Sequence, residues 1–273
     1  MSILQAIFLG FLQGLTEFLP VSSSGHLVLA QKIMGISEPA LFFDTLLHVG
    51  TLVAVLIVLW KDVWALMRRP FQRLTGLIIL GTLPTIVIAL VFKDAIEHAF
   101  TSGAFLGIGF LLTTGLLLGA EYLSSRKTAG RGETEMKYTD ALLIGTLQGV
   151  AIFPAVSRSG STIAGALGVG LNREFAARFS FLMAIPAILG AFVLQLKDLL
   201  PALKAHDTET IFGGIGLPAI IAGTVTATVV GIFAVRFMLN LIKNKNLKGF
   251  ALYTAVLGVL VLADQALFHL FFK

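Results

Sequence analysis

The chain of 273 residues has no cysteine, which excludes a disulfide-stapled scaffold. Charge is scarce too: Asp, Glu, Lys and Arg make up 13% of the residues, about half the ~25% of soluble domains. With hydrophobic residues at 56% and a mean hydropathy of +0.92, no water-compatible surface can be assembled. Disorder and nucleic-acid recognition through a basic face are excluded on the same ground. Lys and Arg are absent from the first 31 residues, whereas a cleavable signal peptide starts with a positive region, so Met1 to Pro20 is expected to belong to the mature fold. No P-loop, zinc-ligand spacing or Gly-x-Ser-x-Gly pattern occurs, which removes the common soluble hydrolase plans. What remains is an all-α polytopic membrane protein.

Apolar runs nearly free of charge mark the spans: Thr45 to Trp60, Leu74 to Phe92, Thr101 to Ala120, Phe179 to Leu196, Thr210 to Val235, and Gly249 to Phe272. At 1.5 Å per residue about 20 residues cross the hydrocarbon, so these predict six transmembrane helices. Two further stretches are too broken to cross. Met1 to Leu19 and Ala141 to Phe153 each run into a proline, Pro20 and Pro154, then a Ser/Gly turn, then a short apolar piece, Leu27 to Met34 and Ile163 to Leu171. Both are predicted to be re-entrant helical hairpins.

The two hairpins align without gaps at an offset of 135 residues, Gln13 to His26 over Gln148 to Ser161. Gln13/Gln148, Gly14/Gly149, Phe18/Phe153, Val21/Val156, Ser22/Ser157, Ser24/Ser159 and Gly25/Gly160 are identical. The chain is therefore expected to be a duplication, residues 1–135 and 136–273, each half a hairpin plus three spans within one membrane domain. An odd number of crossings makes the second half enter from the opposite side, an inverted-topology repeat. The placement of basic residues agrees. Segments 61–73, 126–137, 173–178 and 236–248 carry fourteen of the twenty Lys and Arg residues and are assigned to the cytoplasm, which puts the short termini outside. The net charge of +5 thus concerns orientation.

Irregular backbone at membrane depth survives only where protein or a wet cavity satisfies it. Ser22, Ser23, Ser24 and Gly25 form one turn, and Ser157, Arg158, Ser159, Gly160, Ser161 and Thr162 the other. Each opens a helix whose first N–H groups are unpaired and lie at the positive end of its dipole. Two such ends with Arg158 between them suit a phosphate. Capping alone would explain one serine turn, but it does not explain two matched turns bearing a charge. Ionisable groups near mid-membrane cost roughly 2.5–3.5 kcal/mol each on insertion scales, so Glu17, His26 and Arg158 point to function. Together with the hydroxyls they make a phosphoryl-transfer inventory, Glu17 and His26 being expected to converge on one cavity. Asp44 and His48, four residues apart on the first span, are weaker candidates, because the helix dipole accounts for Asp44.

The segments Gln13-Gly-Leu-Thr-Glu17-Phe-Leu-Pro20-Val-Ser-Ser-Ser-Gly-His26 and Pro154-Ala-Val-Ser157-Arg158-Ser159-Gly-Ser-Thr162 resemble the two signature motifs of the undecaprenyl-diphosphate phosphatases, the bacitracin-resistance protein family. Length and span pattern agree over essentially the whole chain. The resemblance implies hydrolysis of undecaprenyl diphosphate to the monophosphate and inorganic phosphate, recycling a lipid carrier for cell-wall synthesis in the bacterial cytoplasmic membrane. It also implies a divalent cation, Mg²⁺ or Ca²⁺. Glu17, Ser22, Ser23, His26, Ser157, Arg158 and Thr162 inherit functional roles. Two positions depart from the motif. Gln13 stands where an acid is allowed and cannot be an anionic ligand, leaving Glu17 as the metal ligand. Ala155 replaces a glycine, from which no positive φ is expected at that position. The phosphatidic-acid phosphatases, which share a Ser-Gly-His turn, are excluded because their Lys-x6-Arg-Pro element has no counterpart in register.

The resulting expectation is in-line attack by Ser23 with His26 as proton-transfer partner, or by His26 itself. Arg158 and both turns would stabilise the phosphoryl oxygens, with Gln13, Ser22, Ser24, Ser157, Ser159 and Thr162 binding substrate. The lipid tail is expected between helices and the site on the extracytoplasmic side. The partners are a polyprenyl diphosphate, membrane lipids and a second copy of the chain, with no nucleic acid. A lipid flippase or other transporter, with Arg158 as counter-ion, is the competing reading of the same broken helices.

Overall fold

The computed structural model describes residues 1–36, 41–125, 130–205 and 214–271. They form helices joined by short connections, and among them only an isolated bridge between Arg131 and Leu171 has β pairing. In chain order the helices are α1 (Ile3–Thr16), α2 (Ser23–Ile33), α3 (Leu41–Val58), α4 (Trp60–Arg68), α5 (Arg73–Val91), α6 (Lys93–Ser102), α7 (Leu106–Ser124), α8 (Tyr138–Val150), α9 (Arg158–Val169), α10 (Arg173–Asp198), α11 (Leu200–Ala205), α12 (Leu217–Asn244) and α13 (Lys248–Ala263). A π-turn, Asp264–Phe268, extends the last one. The chain is a polytopic all-α membrane protein. Five helices, α5, α7, α10, α12 and α13 with its extension, are long and apolar enough to cross a bilayer, and α3 with α4 makes a sixth.

That sixth span is not straight. α3 and α4 meet at a bend of 82° around Leu59, so Trp60, expected at the end of a continuous helix, instead starts a second one. The cause is composition: Lys61, Asp62 and Arg68 interrupt the apolar run, and Trp60 and Trp64 are exposed on the same short helix. Such an amphipathic segment is more stable in the headgroup layer than in hydrocarbon. A second difference concerns Thr101, expected to open a span; it lies in the last turn of the separate helix α6, and the span α7 begins after the left-handed Gly103. The beginning of the span predicted from Thr210 lies outside the described residues.

The arms of the two hairpins, α1 with α2 and α8 with α9, have 14, 11, 13 and 12 residues. At 1.5 Å per residue none exceeds about 21 Å, well short of a hydrocarbon core of about 30 Å. The packing is exchanged between halves. α1 packs most extensively on α12, and α8 on α5, while α7 packs on α13 and α3 on α10. Glycine makes the first two contacts close. A Cβ at Gly10 would strike the Gly223 carbonyl of α12, and a Cβ at Gly145 the Gly81 carbonyl of α5. Close backbone approach of this kind drives helix association where neither helix gains by leaving lipid. The outer faces carry the exposed Ile86, Val87, Leu90, Val225, Val229 and Phe233, as lipid contact requires.

Candidate functional site

The polar interior is concentrated at the two turns. Gln13, Glu17, Ser22, Ser23, His26, Gln148, Ser157, Ser159, Ser161 and Thr162 are all buried. Each turn is built alike. Ser22 caps α2 by accepting from Gly25 N–H (3.3 Å), and Ser157 caps α9 by accepting from Gly160 N–H (3.0 Å). In both, the capping hydroxyl lies 3.3 Å from the hydroxyl two residues on, Ser24 or Ser159. Residues shared between the two sequence segments thus make the same local bonds twice.

The turns meet tip to tip. Ser159 donates to the Leu19 carbonyl (3.1 Å), and there is so little room between Gly25 and Ala155 that a Cβ on Gly25 would overlap Ala155. Ala155 itself has φ +64°, so the expectation of an ordinary φ at this position is corrected. Its carbonyl accepts from Thr113 Oγ1 (3.1 Å), and Thr113 Oγ1 in turn accepts from the Ser157 N–H (2.9 Å). Those bonds and a fully buried methyl group hold a left-handed alanine that costs roughly 1–2 kcal/mol.

At the junction Glu17 and Arg158 form an ion pair through Oε1, their side chains 5% and 15% exposed. The other carboxylate oxygen, Oε2, accepts from Ser23 Oγ (2.5 Å) and from Gln13 Nε2 (3.0 Å). Arg158 is held from α10 as well, through the Ser180 carbonyl (3.4 Å). Thr162 supports that anchorage, its hydroxyl 2.6 Å from Ser180 Oγ. A buried guanidinium and carboxylate are tolerated because each finds the other together with further hydrogen bonds.

A cavity of about 360 Å³ opens onto this pair, lined by Glu17, Ser22, Ser23, Ser24, Ser157 and Arg158 from the turns. Of the sequence-predicted site residues, Gln13, Ser159 and Thr162 lie behind that lining, where they hold Glu17, Leu19 and Ser180. His26 is not on the cavity wall. Its Nδ1–H donates to the Ser22 carbonyl (2.6 Å), so Nε2 is the acceptor for the Tyr253 hydroxyl (2.7 Å), with the two rings stacked. Convergence of Glu17 and His26 on one cavity is therefore corrected: the histidine is turned toward α13 by its tyrosine partner. The hydroxyl proton of Ser23 points to Glu17.

Asp44, Thr45 and His48 of α3 and Gln195 of α10 complete the polar part of the wall, and Leu27, Phe100, Ile152 and Ile188 are among its apolar residues. His48 Nδ1–H donates to the Asp44 carbonyl (2.7 Å), which aims Nε2 at Glu17 Oε2, 3.6 Å away. Asp44 accepts from Gln31 of α2 (2.7 Å). The i, i+4 spacing of Asp44 and His48 was the signal for this pair. Gln195 and Tyr253 sit in apolar runs, and nothing local marks them.

The donors offered to a cation are hard oxygens: Glu17, the Ser23 hydroxyl, and Gln13 Oε1, which is buried without a hydrogen-bond partner. Among the described residues no group of three or more His, Asp or Glu makes a ready metal cage. That set fits a cation of the Mg²⁺ kind, which takes one or two carboxylates and completes its shell with water and substrate phosphate.

Comparison with known proteins places the chain among named relatives. The model of the family described as bacitracin resistance protein BacA matches residues 6–260. A protein of Carboxydothermus hydrogenoformans named undecaprenyl-diphosphatase is 49% identical over 267 residues, 97% of this chain and 98% of its own. One of Methanosphaera stadtmanae with the same name is 40% identical over 285 residues, covering 96% and 98%. Undecaprenyl-diphosphatase 4 of Bacillus cereus is 44% identical over 266 residues, covering 97% and 98%.

Proposed function

The chain belongs to the bacitracin resistance protein BacA family, and from that premise we infer that it is a membrane undecaprenyl-diphosphatase. It hydrolyses the lipid diphosphate to undecaprenyl phosphate and inorganic phosphate, returning the carrier to cell-wall synthesis and conferring bacitracin resistance. The observation that carries the chemistry is the meeting of Glu17, Ser23 and Arg158 at one cavity, three groups drawn from both turns.

In this reading Ser23 Oγ attacks the terminal phosphorus and passes its proton to Glu17 Oε2, its hydrogen-bond acceptor. The bond from phosphorus to the bridging oxygen breaks, and undecaprenyl phosphate leaves carrying the proton from Glu17, which becomes a carboxylate again. A water then attacks the phosphoserine and gives a proton to Glu17 as the bond from phosphorus to Ser23 Oγ breaks, and Glu17 passes that proton to Oγ, releasing inorganic phosphate. Arg158 spreads its fork over the equatorial oxygens, and the N-termini of α2 and α9 add their dipoles. His26, held by Tyr253, keeps the α2 turn in place instead of meeting the phosphate. Glu17 and Gln13 Oε1 would hold Mg²⁺ or Ca²⁺, which when bound neutralises diphosphate charge.

The inverted-topology repeat, 1–135 against 136–273, belongs to the same proposal, supported by the matched turns and by the exchanged packing of α1 on α12 and α8 on α5. The site then faces the extracytoplasmic side of the bacterial inner membrane, with two copies of the chain associating as a homodimer. Detergent-purified protein given undecaprenyl diphosphate and Mg²⁺ is expected to release phosphate. Ser23→Ala is expected to release none, and Arg158→Lys, which keeps the charge but loses the fork, to lose roughly 10²-fold in kcat. Near-normal turnover by Ser23→Ala would remove serine from the chemistry.

A further inference from the structure

Several basic side chains near the helix ends are neutralised within the chain: Arg131 by Asp140, Arg173 by Glu121, Arg178 by Asp62 and Lys243 by Glu174. α4 is different. Lys61, Arg68 and Arg69 at its two ends are exposed, and among the described residues no carboxylate pairs with any of them. At 100° per residue the helix has two sides. Asp62, Val63 and Leu66 face the protein, the acid paired with Arg178 of α10 and the two apolar side chains packed on the core. Met67, Trp60, Trp64, Arg68 and Lys61 follow one another around an arc of about 120° on the opposite side, and all five are exposed. The Arg68 guanidinium lies over the Trp64 ring, 4.9 Å from its centroid. Because α4 turns 82° away from α3, this whole arc stays near one depth of the bilayer.

We propose that the outer face of α4 is a docking surface for anionic phospholipid headgroups, with Lys61, Arg68 and Arg69 as their counter-charges. The apolar part of the arc, Met67, Trp60 and Trp64, sits where indole rings are most stable, at the boundary between acyl chains and headgroups. That places the bases at its border level with the phosphates. A zwitterionic headgroup offsets its own phosphate with its own amine, whereas an anionic one brings the net charge that three unpaired cations lack. Phe71, fully exposed directly after the helix, extends the apolar border. The contact pins the bent half of the span to the membrane, and the pair of Asp62 with Arg178 ties that half to α10. The surface lies apart from the cavity at Glu17 and Arg158 and is independent of the diphosphatase reading.

Trp60 and Trp64 are the only tryptophans of the chain, so its indole fluorescence reports this face alone. The full chain is to be reconstituted in vesicles of phosphatidylcholine with a minor share of phosphatidylglycerol. Bromine in the acyl chains, a contact quencher, is carried either by the phosphatidylglycerol or by an equal amount of the phosphatidylcholine, so that the two vesicles differ only in which headgroup bears the quencher. Brominated phosphatidylglycerol is expected to quench more strongly, corresponding to a roughly threefold or greater enrichment at the tryptophans. Raising the salt to about 0.5 M is expected to shrink that difference. The triple variant Lys61→Gln, Arg68→Gln, Arg69→Gln is expected to abolish it while quenching by brominated phosphatidylcholine persists. Equal quenching by the two lipids in the wild type would overturn the proposal, and so would a difference that survives in the triple variant. Should that variant lose its helical circular dichroism, the wild type at low and high salt still decides: a preference that salt leaves unchanged would count against docking by headgroup charge.

Discussion

Glu17 and Arg158 are 141 positions apart in the chain, yet each is the reason the other can be buried. Taking one away leaves a charge in a poorly solvated place, which costs about 3–5 kcal/mol when a buried pair is broken from one side. Arg158→Met is therefore expected to lower thermal stability in detergent substantially, and adding Glu17→Gln to restore most of it, with neither variant releasing phosphate. A double variant no more stable than the single one would show that the two are not coupled. Much of this site was legible residue by residue, because an ionisable group in an apolar run must have a purpose. Which partner each would choose was not. His26 lies three positions from Ser23 and was expected beside the reacting phosphate; Tyr253, from the far end of the chain, engages it instead. His48 comes the other way, to 3.6 Å from Glu17. Such choices depend on rotamers selected by neighbours from other helices, and one segment's sequence carries no trace of them.

The hairpins show how an element too short to cross a membrane can still be stable in one. α1 and α8 gain little by hydrophobic burial, since lipid is as apolar as protein, so close packing of backbones must stabilise them. Gly10 against Gly223 and Gly145 against Gly81 are those contacts. Gly10→Ala and Gly145→Ala should each lower stability by roughly 1–3 kcal/mol through overpacking. Gly115→Ala, where an added Cβ meets nothing within 4 Å, should be neutral or stabilising by a few tenths to about 1 kcal/mol, as for an exposed helix glycine. Thermal unfolding in one detergent distinguishes these outcomes, and equal effects at all three positions would dissociate the glycines from packing. Helical type and the number of spans were readable from apolar run lengths, but the short helices α4, α6 and α11 were not. The bend after α3 was only hinted at by Lys61 and Asp62, because run length and composition do not say whether a helix continues straight past a charge or turns along the interface.

For the molecule as a whole, the absence of cysteine makes topology directly measurable. Phe71, fully exposed between α4 and α5, should as Phe71→Cys react with an impermeant maleimide only after cells are opened. Ser102→Cys, at the end of α6, should react in intact cells, and Asn246→Cys, between α12 and α13, only after opening. Labelling of Phe71→Cys from outside would reverse the proposed orientation of the first half. The sequence by itself determined the solvent, the helical class, the two broken segments and the three ionisable groups that lipid would expel without a reason to keep them. These follow from composition and run length, which are local properties set by the cost of burying charge and unpaired backbone. Only the tertiary structure decided that the two turns meet tip to tip, that Ser23 shares Glu17 with Arg158, and that His26 faces Tyr253. It also decided that each hairpin packs on the opposite half. Those facts are set by which surfaces fit when helices distant in the chain are pressed together, and that fit is settled by close contact between them, beyond the reach of any single stretch of residues.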